Sequence, residues 1–307
     1  MEQTKRVIAL GFFDGVHIGH GALLRRVAER AEALGAIPAA LTFDQHPRDL
    51  ILGRQVPLIN TPRDRAWIME HQYGIAQLTV LPFDQAMMEL PWQEFVTQVL
   101  VERFQAAWVV AGHDYRFGHR GEGDALRLSQ LCAQLGVGCD IIERVELDGR
   151  TVSSTHIRTL LEQGEMEQAR RFLGHPHILS GPVVHGNQLG RTIGIPTANL
   201  VIPPQVLTPA VGVYATRVAL PDGTSRLAVT NVGTRPTVEA HGRVTVEPWI
   251  LDFSGDLYGQ EIRVEFYTRL RGERRFDGLE ALREEILRNA QQTRRYFACD
   301  TESGVGV

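Results

Sequence analysis

The sequence predicts an α/β domain on a parallel sheet, followed by a small antiparallel β-barrel with a C-terminal helix. Three observations carry this. The first half alternates apolar strand-like runs with helical stretches, the region past His177 turns to short strands separated by turn residues, and one amphipathic stretch closes the chain. Strand–helix alternation implies a parallel sheet covered on both faces. Closely spaced short strands imply closure into a barrel. At 307 residues there is chain for two domains, since one takes ~100–200 residues.

The elements follow in order. Residues 7–10 read as a strand, 11–19 as a tight turn, and 22 onward as a helix. Leu23, Leu24, Val27, Ala28, Ala31 and Leu34 recur at helical spacing, while Arg25, Arg26, Glu29, Arg30 and Glu32 take the other face. Strands are expected at 37–43, 78–81, 108–112 and 141–142, with helices at 61–73, 92–104 and 124–135 between them. Ligands of such sheets bind beyond the carboxyl ends of the strands. Loops 14–20, 42–48 and 112–123 fall there. Two short helices at 155–161 and 166–173 end at Gly164 and Gly174, the expected stop residues.

In the second half, 211–220 and 226–232 are strand-like and joined by the turn Pro221-Asp222-Gly223. Ile262, Val264 and Phe266 alternate with Arg263, Glu265 and Tyr267, as in a strand with one wet face. The closing helix is expected over 278–296, with Leu279, Leu282, Ile286 and Ala290 inward. The expected boundaries are 1–158 and 178–300 for the domains, 159–177 for a helical connector, and 301–307 for a frayed tail.

Composition excludes several classes. A hydrophobic content of 43% and a charged content of 22% suit a soluble globular protein, and a net charge of −4 argues against a broad nucleic-acid surface. No stretch is apolar enough for a membrane span or a signal peptide. Three cysteines, an odd number without a close pair, suggest neither a disulfide framework nor a zinc site. A reducing cytoplasm is the expected compartment.

Two places carry chemistry. His17 and His20 flank Gly19 where a strand hands over to a helix N-terminus, whose free N–H groups and dipole attract phosphate. Donors there can stabilise charge on a phosphate in flight. The arrangement suits nucleotidyl transfer, and no Gly-Lys-Ser/Thr follows to make it a Walker loop. In the strand 244–253, period-two alternation puts Glu247 on one face with Trp249, Leu251 and Phe253. An inward carboxylate on an apolar strand is costly unless paired or used, and burial would raise its pKa toward the range of a general base. Thr197 and Asn199, two apart, share a face if extended.

Over essentially its whole length the chain resembles the bacterial bifunctional riboflavin kinase/FAD synthetases. The N-terminal half matches through Gly11 to His20, Thr42-Phe-Asp-Gln-His-Pro47, Gly112-His-Asp-Tyr-Arg-Phe-Gly118 and Val152-Ser-Ser-Thr-His-Ile-Arg158. The C-terminal half matches through the run from Gly181 to Arg191, Gly194-Ile-Pro-Thr-Ala-Asn-Leu200, Asn231-Val-Gly-Thr-Arg-Pro-Thr237, Glu247-Pro248 and Arg271-Gly-Glu-Arg-Arg-Phe276. The resemblance implies a Rossmann-like nucleotidyltransferase domain and a Greek-key flavokinase barrel. It implies ATP-dependent conversion of riboflavin to FMN and of FMN to FAD, with Mg2+ as cofactor. Small molecules would be the partners, with weak self-association and hand-over of FMN or FAD to apoflavoproteins as further expectations.

By the same resemblance, His17 and His20 stabilise the transferred phosphate, and Phe12, Asp14, Gly15, Gly19, Asp114, Ser153, Ser154 and Arg158 bind ATP or its phosphates. Glu247 is the base for the ribityl 5′-hydroxyl, Thr197 and Asn199 hold magnesium, and Gly186, Gly190, Arg191, Pro196 and Arg271 bind ATP or flavin. The chain departs from the family at His175, His177 and Asn289, where Arg, Tyr and Asp are usual. A class I aminoacyl-tRNA synthetase fragment is the rival suggested by His17-Ile-Gly-His20. The acidic balance and the lack of a Lys-Met-Ser-Lys-Ser segment stand against it. A flavin sensor without catalysis is the other rival, and it would not need His17, His20 or Glu247.

Overall fold

Apolar runs too short for helices build the first sheet. In the computed structural model, which describes residues 5–46, 49, 53, 55–186, 189–235 and 243–302, these are β1 (Arg6–Leu10), β2 (Ile37–Phe43), β3 (Gln77–Leu81), β4 (Ala106–Gly112) and β5 (Gly138–Ile142). They pair in parallel in the order β3-β2-β1-β4-β5. The helices are α1 (Ile18–Leu34), α2 (Pro62–Tyr73), α3 (Gln85–Glu89), α4 (Trp92–Glu94) and α5 (Ala125–Gln134). Val7 to Leu10 are all buried, the pattern of a central strand covered on both faces. The strand order reverses between β1 and β4, so a crevice opens there at the carboxyl ends, where α/β sheets place their ligands. A hairpin, β6 (Glu146–Leu147) with β7 (Arg150–Thr151), completes this part.

The start of α1 and the 92–104 helix differ from expectation. The α1 helix starts at Ile18 rather than Ala22, because His17 caps it. The expected 92–104 helix becomes a π-helix over Phe95–Arg103. Phe95, Val96 and Leu100 are buried in either kind of helix, so the apolar spacing does not distinguish them.

The second unit comprises residues 58–64 and 154–307, the first 1–57 and 65–153. The boundary falls before Ser154, and the short segment 58–64 belongs with the C-terminal half. Hydrogen bonds explain this placement. The Leu58 N–H donates to the Gln205 carbonyl (2.8 Å), the Leu207 N–H to the Leu58 carbonyl (2.7 Å), and the Asn60 amide to the Ile178 carbonyl (3.1 Å).

In this unit, α6 (Ser154–Gln163) and α7 (Met166–Leu173) precede β8 (His177–Val184), α8 (Leu189–Thr192), β9 (Asn199–Leu200), β10 (Gly212–Ala219), β11 (Ser225–Arg235), β12 (Arg243–Ile250), β13 (Glu261–Arg271) and α9 (Leu279–Glu302). The strands close an antiparallel barrel in the order β10-β11-β12-β9-β8-β13, with β13 returning to β10. Tyr214, Thr216, Ala228, Thr230, Val232, Val246, Val264 and Phe266 fill it. Among them, the Thr216 and Thr230 hydroxyls bond to each other at 2.7 Å. Helix α9, which runs past the expected 296, lays Ala290 on Val213, Val229, Leu251 and Trp249. Among the described residues no helix is long and apolar enough to cross a membrane. The expected tail at 301–307 begins within α9, which runs to Glu302, and 303–307 lie outside the described residues.

Candidate active sites

The loop leaving β1 is wound tightly. Phe13, Gly15 and Val16 have φ of 57°, 82° and 43°. For non-glycine residues this backbone costs of order 1–3 kcal/mol each and persists only when the surroundings hold it. The Val16 N–H bonds the Phe13 carbonyl at 3.1 Å, and the Thr42 hydroxyl donates to the Phe12 carbonyl at 2.9 Å. The loop delivers His17 as the N-cap of α1, its Nδ1 accepting the His20 N–H at 3.2 Å. With Nδ1 an acceptor, a neutral His17 carries its proton on Nε2 and can donate it. Any Cβ on Gly19 would lie 3.1 Å from the His17 Nδ1, so glycine leaves room for the cap.

His20 stacks on His17 with ring centroids 3.6 Å apart, and Phe13 meets it edge-on at 5.2 Å. Burial, then the electrostatic influence of His17 and the charge of Arg65, hold the His20 imidazole well below its usual pKa. It is therefore neutral at neutral pH. Asp14 is buried within the loop. Val152 packs at the start of α1 against Gly19, bringing its neighbour Ser153 to the same end of the helix. Asp114 lies exposed just beyond β4, on the other side of the crevice from β1. Ser154 and Arg158 lie on α6, in the second unit.

In the barrel, Val246, Pro248 and Ile250 are the buried residues of β12, while Glu247 and Trp249 are half-buried on the outer face. This corrects the expectation of an inward Glu247. The strand ends at Ile250 and a turn begins at Leu251, so the buried Leu251 does not continue the alternation. Asn231 of β11 is the cross-strand partner of Glu247. On the other side, Leu200 pairs with Val246 and the Ala198 N–H donates to the Pro248 carbonyl at 3.0 Å. That register sets Asn199 opposite Glu247, with Thr197 two residues further along.

The Asn199 side chain is buried, and a Cβ on Gly186 would lie 2.5 Å from its Nδ2. The Gly186 backbone thus lies directly on it. A Cβ on Gly190 would lie 2.1 Å from the Ile195 carbonyl oxygen, so the chain around exposed Pro196 folds equally close. Arg271 is held against α9, its Nε donating to Asn289 Oδ1 (3.1 Å) and lying 3.5 Å from Glu285. Burial pulls its guanidinium below the usual pKa, and Glu285 opposes this. The Arg191 side chain, Pro47, Arg48, Asn187, Gln188, Pro236 and Thr237 lie outside the described residues.

The family's departures at His175 and His177 are both buried, and Asn289 is the acceptor for Arg271. Two residues of the first site carry no individual signal in the sequence. Thr42 stands within the run Thr42-Phe-Asp-Gln-His-Pro47. Arg65 lies in the first turn of the expected 61–73 helix with nothing to single it out, yet it is completely buried.

Comparison with known proteins separates the two units by name. Residues 1–156 match the FAD synthetase family and residues 173–297 the riboflavin kinase family. The chain belongs to the bifunctional riboflavin kinase/FMN adenylyltransferase family. Relatives of that name include those of Listeria monocytogenes (36% identical, over 95% of this chain and 93% of the relative), Bacillus subtilis (34%, 97% and 94%) and Escherichia coli K12 (35%, 95% and 92%). A Streptococcus pneumoniae protein described as a macrolide-efflux protein shares the fold, with a TM-score of 0.83 and 31% identity over 96% of this chain and 95% of that one. As a riboflavin kinase/FMN adenylyltransferase, the enzyme converts riboflavin to FMN and FMN to FAD, with ATP as co-substrate.

Proposed function

We propose that adenylyl transfer to FMN takes place at the N-terminus of α1, and riboflavin phosphorylation at Glu247 on the outer face of the barrel. In the first reaction a phosphate oxygen of FMN attacks the α-phosphorus of ATP and pyrophosphate leaves. His17 donates from Nε2 to an oxygen of the α-phosphate, and His20 adds a neutral imidazole beside it. Phe12, Gly15, Gly19 and the first turn of α1 offer backbone to the phosphates, with the helix dipole behind them. Ser153 adds a hydroxyl at the same helix end, and Asp14 and Asp114 orient the nucleotide. Such chemistry is largely positioning and charge stabilisation.

In the second reaction Glu247 takes the proton of the ribityl 5′-hydroxyl as that oxygen attacks the γ-phosphorus of ATP and ADP leaves. Asn199 and Thr197 offer neutral oxygens, the donor type a hard cation prefers, and the buried Asn199 amide packs directly under Gly186. These residues suit magnesium held chiefly by ATP phosphates and water. Bound there, the ion would neutralise phosphate charge. Arg271, steadied by Glu285 and Asn289, keeps a cation at the flavin side, while Gly186, Gly190, Arg191 and Pro196 lie along the nucleotide.

The observation that carries this reading is the His17–His20 pair, a capped and stacked couple at the mouth of a parallel sheet. Flavins formed from riboflavin, ATP and magnesium are separated by chromatography. Glu247→Gln is expected to make no FMN from riboflavin yet to convert supplied FMN to FAD. Loss of both activities together in a folded protein overturns the two-site assignment.

A further inference from the structure

The α2 helix directs Arg65 inward beneath the loop that carries the two histidines. Its side chain is completely buried. One nitrogen, Nη1, donates to the Phe12 carbonyl and lies 3.4 Å from the Thr42 hydroxyl, while the guanidinium sits 4.7 Å from the centre of the Phe12 ring. Nε and Nη2 have no hydrogen-bond partner among the described residues. No carboxylate makes a contact ion pair with it among the described residues, although Asp14 lies within its field.

A buried cation left this uncompensated is costly to keep. A helix with no other task for that position could turn an apolar side chain inward instead. We propose that Arg65 is a positioning residue for adenylyl transfer, fixing the Phe12 carbonyl under the strained loop and supplying a permanent positive charge below His17 and His20. This inference rests on adenylyl transfer taking place at the α1 N-terminus.

The charge has two effects. Polyphosphate arriving above the loop adds negative charge to that of Asp14, whose field already reaches Arg65. Protonation of His20 becomes harder, so His20 stays neutral. The titratable groups around the loop are Asp14 within it, His17 at the cap, His46 against the Phe12 ring, and Arg65 and Tyr73 from α2, with Arg25 beside Tyr73.

The test uses the full chain with Arg65→Met and Arg65→Lys, assayed for both activities. Riboflavin phosphorylation, matched to the other unit, reports that the chain is folded. Arg65→Met is expected to lower kcat for FMN adenylylation by ~10-fold or more. It should also move the acid limb of the kcat/KM profile to higher pH, because His20 then protonates more readily. Lysine keeps the charge and a donor, so it should restore the limb and most of the rate. Equal losses in both variants with an unmoved acid limb overturn the proposal, as does wild-type behaviour in both.

Since Arg65→Met can disorder the loop, His20 is also titrated by proton NMR in the wild-type chain, its signal assigned by its loss in His20→Gln. A midpoint below the ordinary histidine value is expected, and one at or above it overturns the proposal. Full FAD synthesis in His17→Ala and His20→Gln would instead defeat the site assignment itself, and the role of Arg65 with it.

Discussion

The rings of His17 and His20 lie face to face, 11° from parallel, with the His20 N–H bound to the His17 Nδ1. One imidazole thus serves two purposes. It ends the helix ladder and keeps its outer nitrogen as a donor. Because the two roles use different atoms, they can be separated by substitution.

His17→Asn keeps a capping oxygen but loses the imidazole. It should hold thermal stability close to wild type while cutting FMN adenylylation by ~10²–10³. His17→Ala should lose the same activity and, in addition, about 1 kcal/mol of stability. Calorimetry alongside FAD formation from FMN checks both. An active His17→Asn would leave the histidine with capping alone.

His177 sets an acid limit on the barrel. It is buried opposite Phe266, and desolvation, then His175, push its pKa down to about 3. An unfolded histidine titrates near ~6.5. Between these values the unfolded chain binds a proton that the folded one does not. Stability therefore falls as pH drops from ~6.5 toward 3, by ~1.4 kcal/mol per pH unit, and is flat above ~6.5 as far as this group is concerned. Urea unfolding of wild type and His177→Leu at pH 7, 6 and 5 should show a shallower acid loss in the variant. Parallel curves would contradict this.

Gly186→Ala places a methyl group on the Asn199 amide. Displacing that side chain by ~1 Å should lower riboflavin phosphorylation by up to ~10² and raise the KM for ATP. FMN adenylylation should be unchanged. Steady-state kinetics of the two half-reactions decide it.

Inside the barrel, the Thr216 hydroxyl bonds both Thr230 and the Ala228 carbonyl. Thr216→Val strands the Thr230 hydroxyl and should cost ~1–3 kcal/mol. Adding Thr230→Val should cost little more, because the stranded group is then gone. A double-mutant cycle with strictly additive losses would exclude coupling between them.

Much of this was legible in the sequence because its signals are local. Apolar runs at β1, β2 and β4 mark strands by themselves, and glycine with histidine after β1 marks the turn beyond. The side taken by Glu247 was not legible. Alternation read from Trp249 and Leu251 runs through a turn at 251–252 that the pattern does not announce. Arg65 was hidden for a similar reason, since no linear signal tells an inward arginine from a solvated one beside Asp64. The partnership of Asn60 with Ile178 spans more than a hundred residues, beyond the reach of any periodicity.

The segment Leu58–Asp64 bears on how the two activities could ever be inherited separately. A gene opening at codon 154 would encode the barrel strands without Leu58, Ile59 and Asn60. The carbonyls of Gln205 and Ile178 would then lose these donors, the Leu207 amide would lose its acceptor, and an apolar seam would meet water. A free-standing kinase descended from such a chain would have to grow a replacement for seven residues stored in the middle of its neighbour's reading frame.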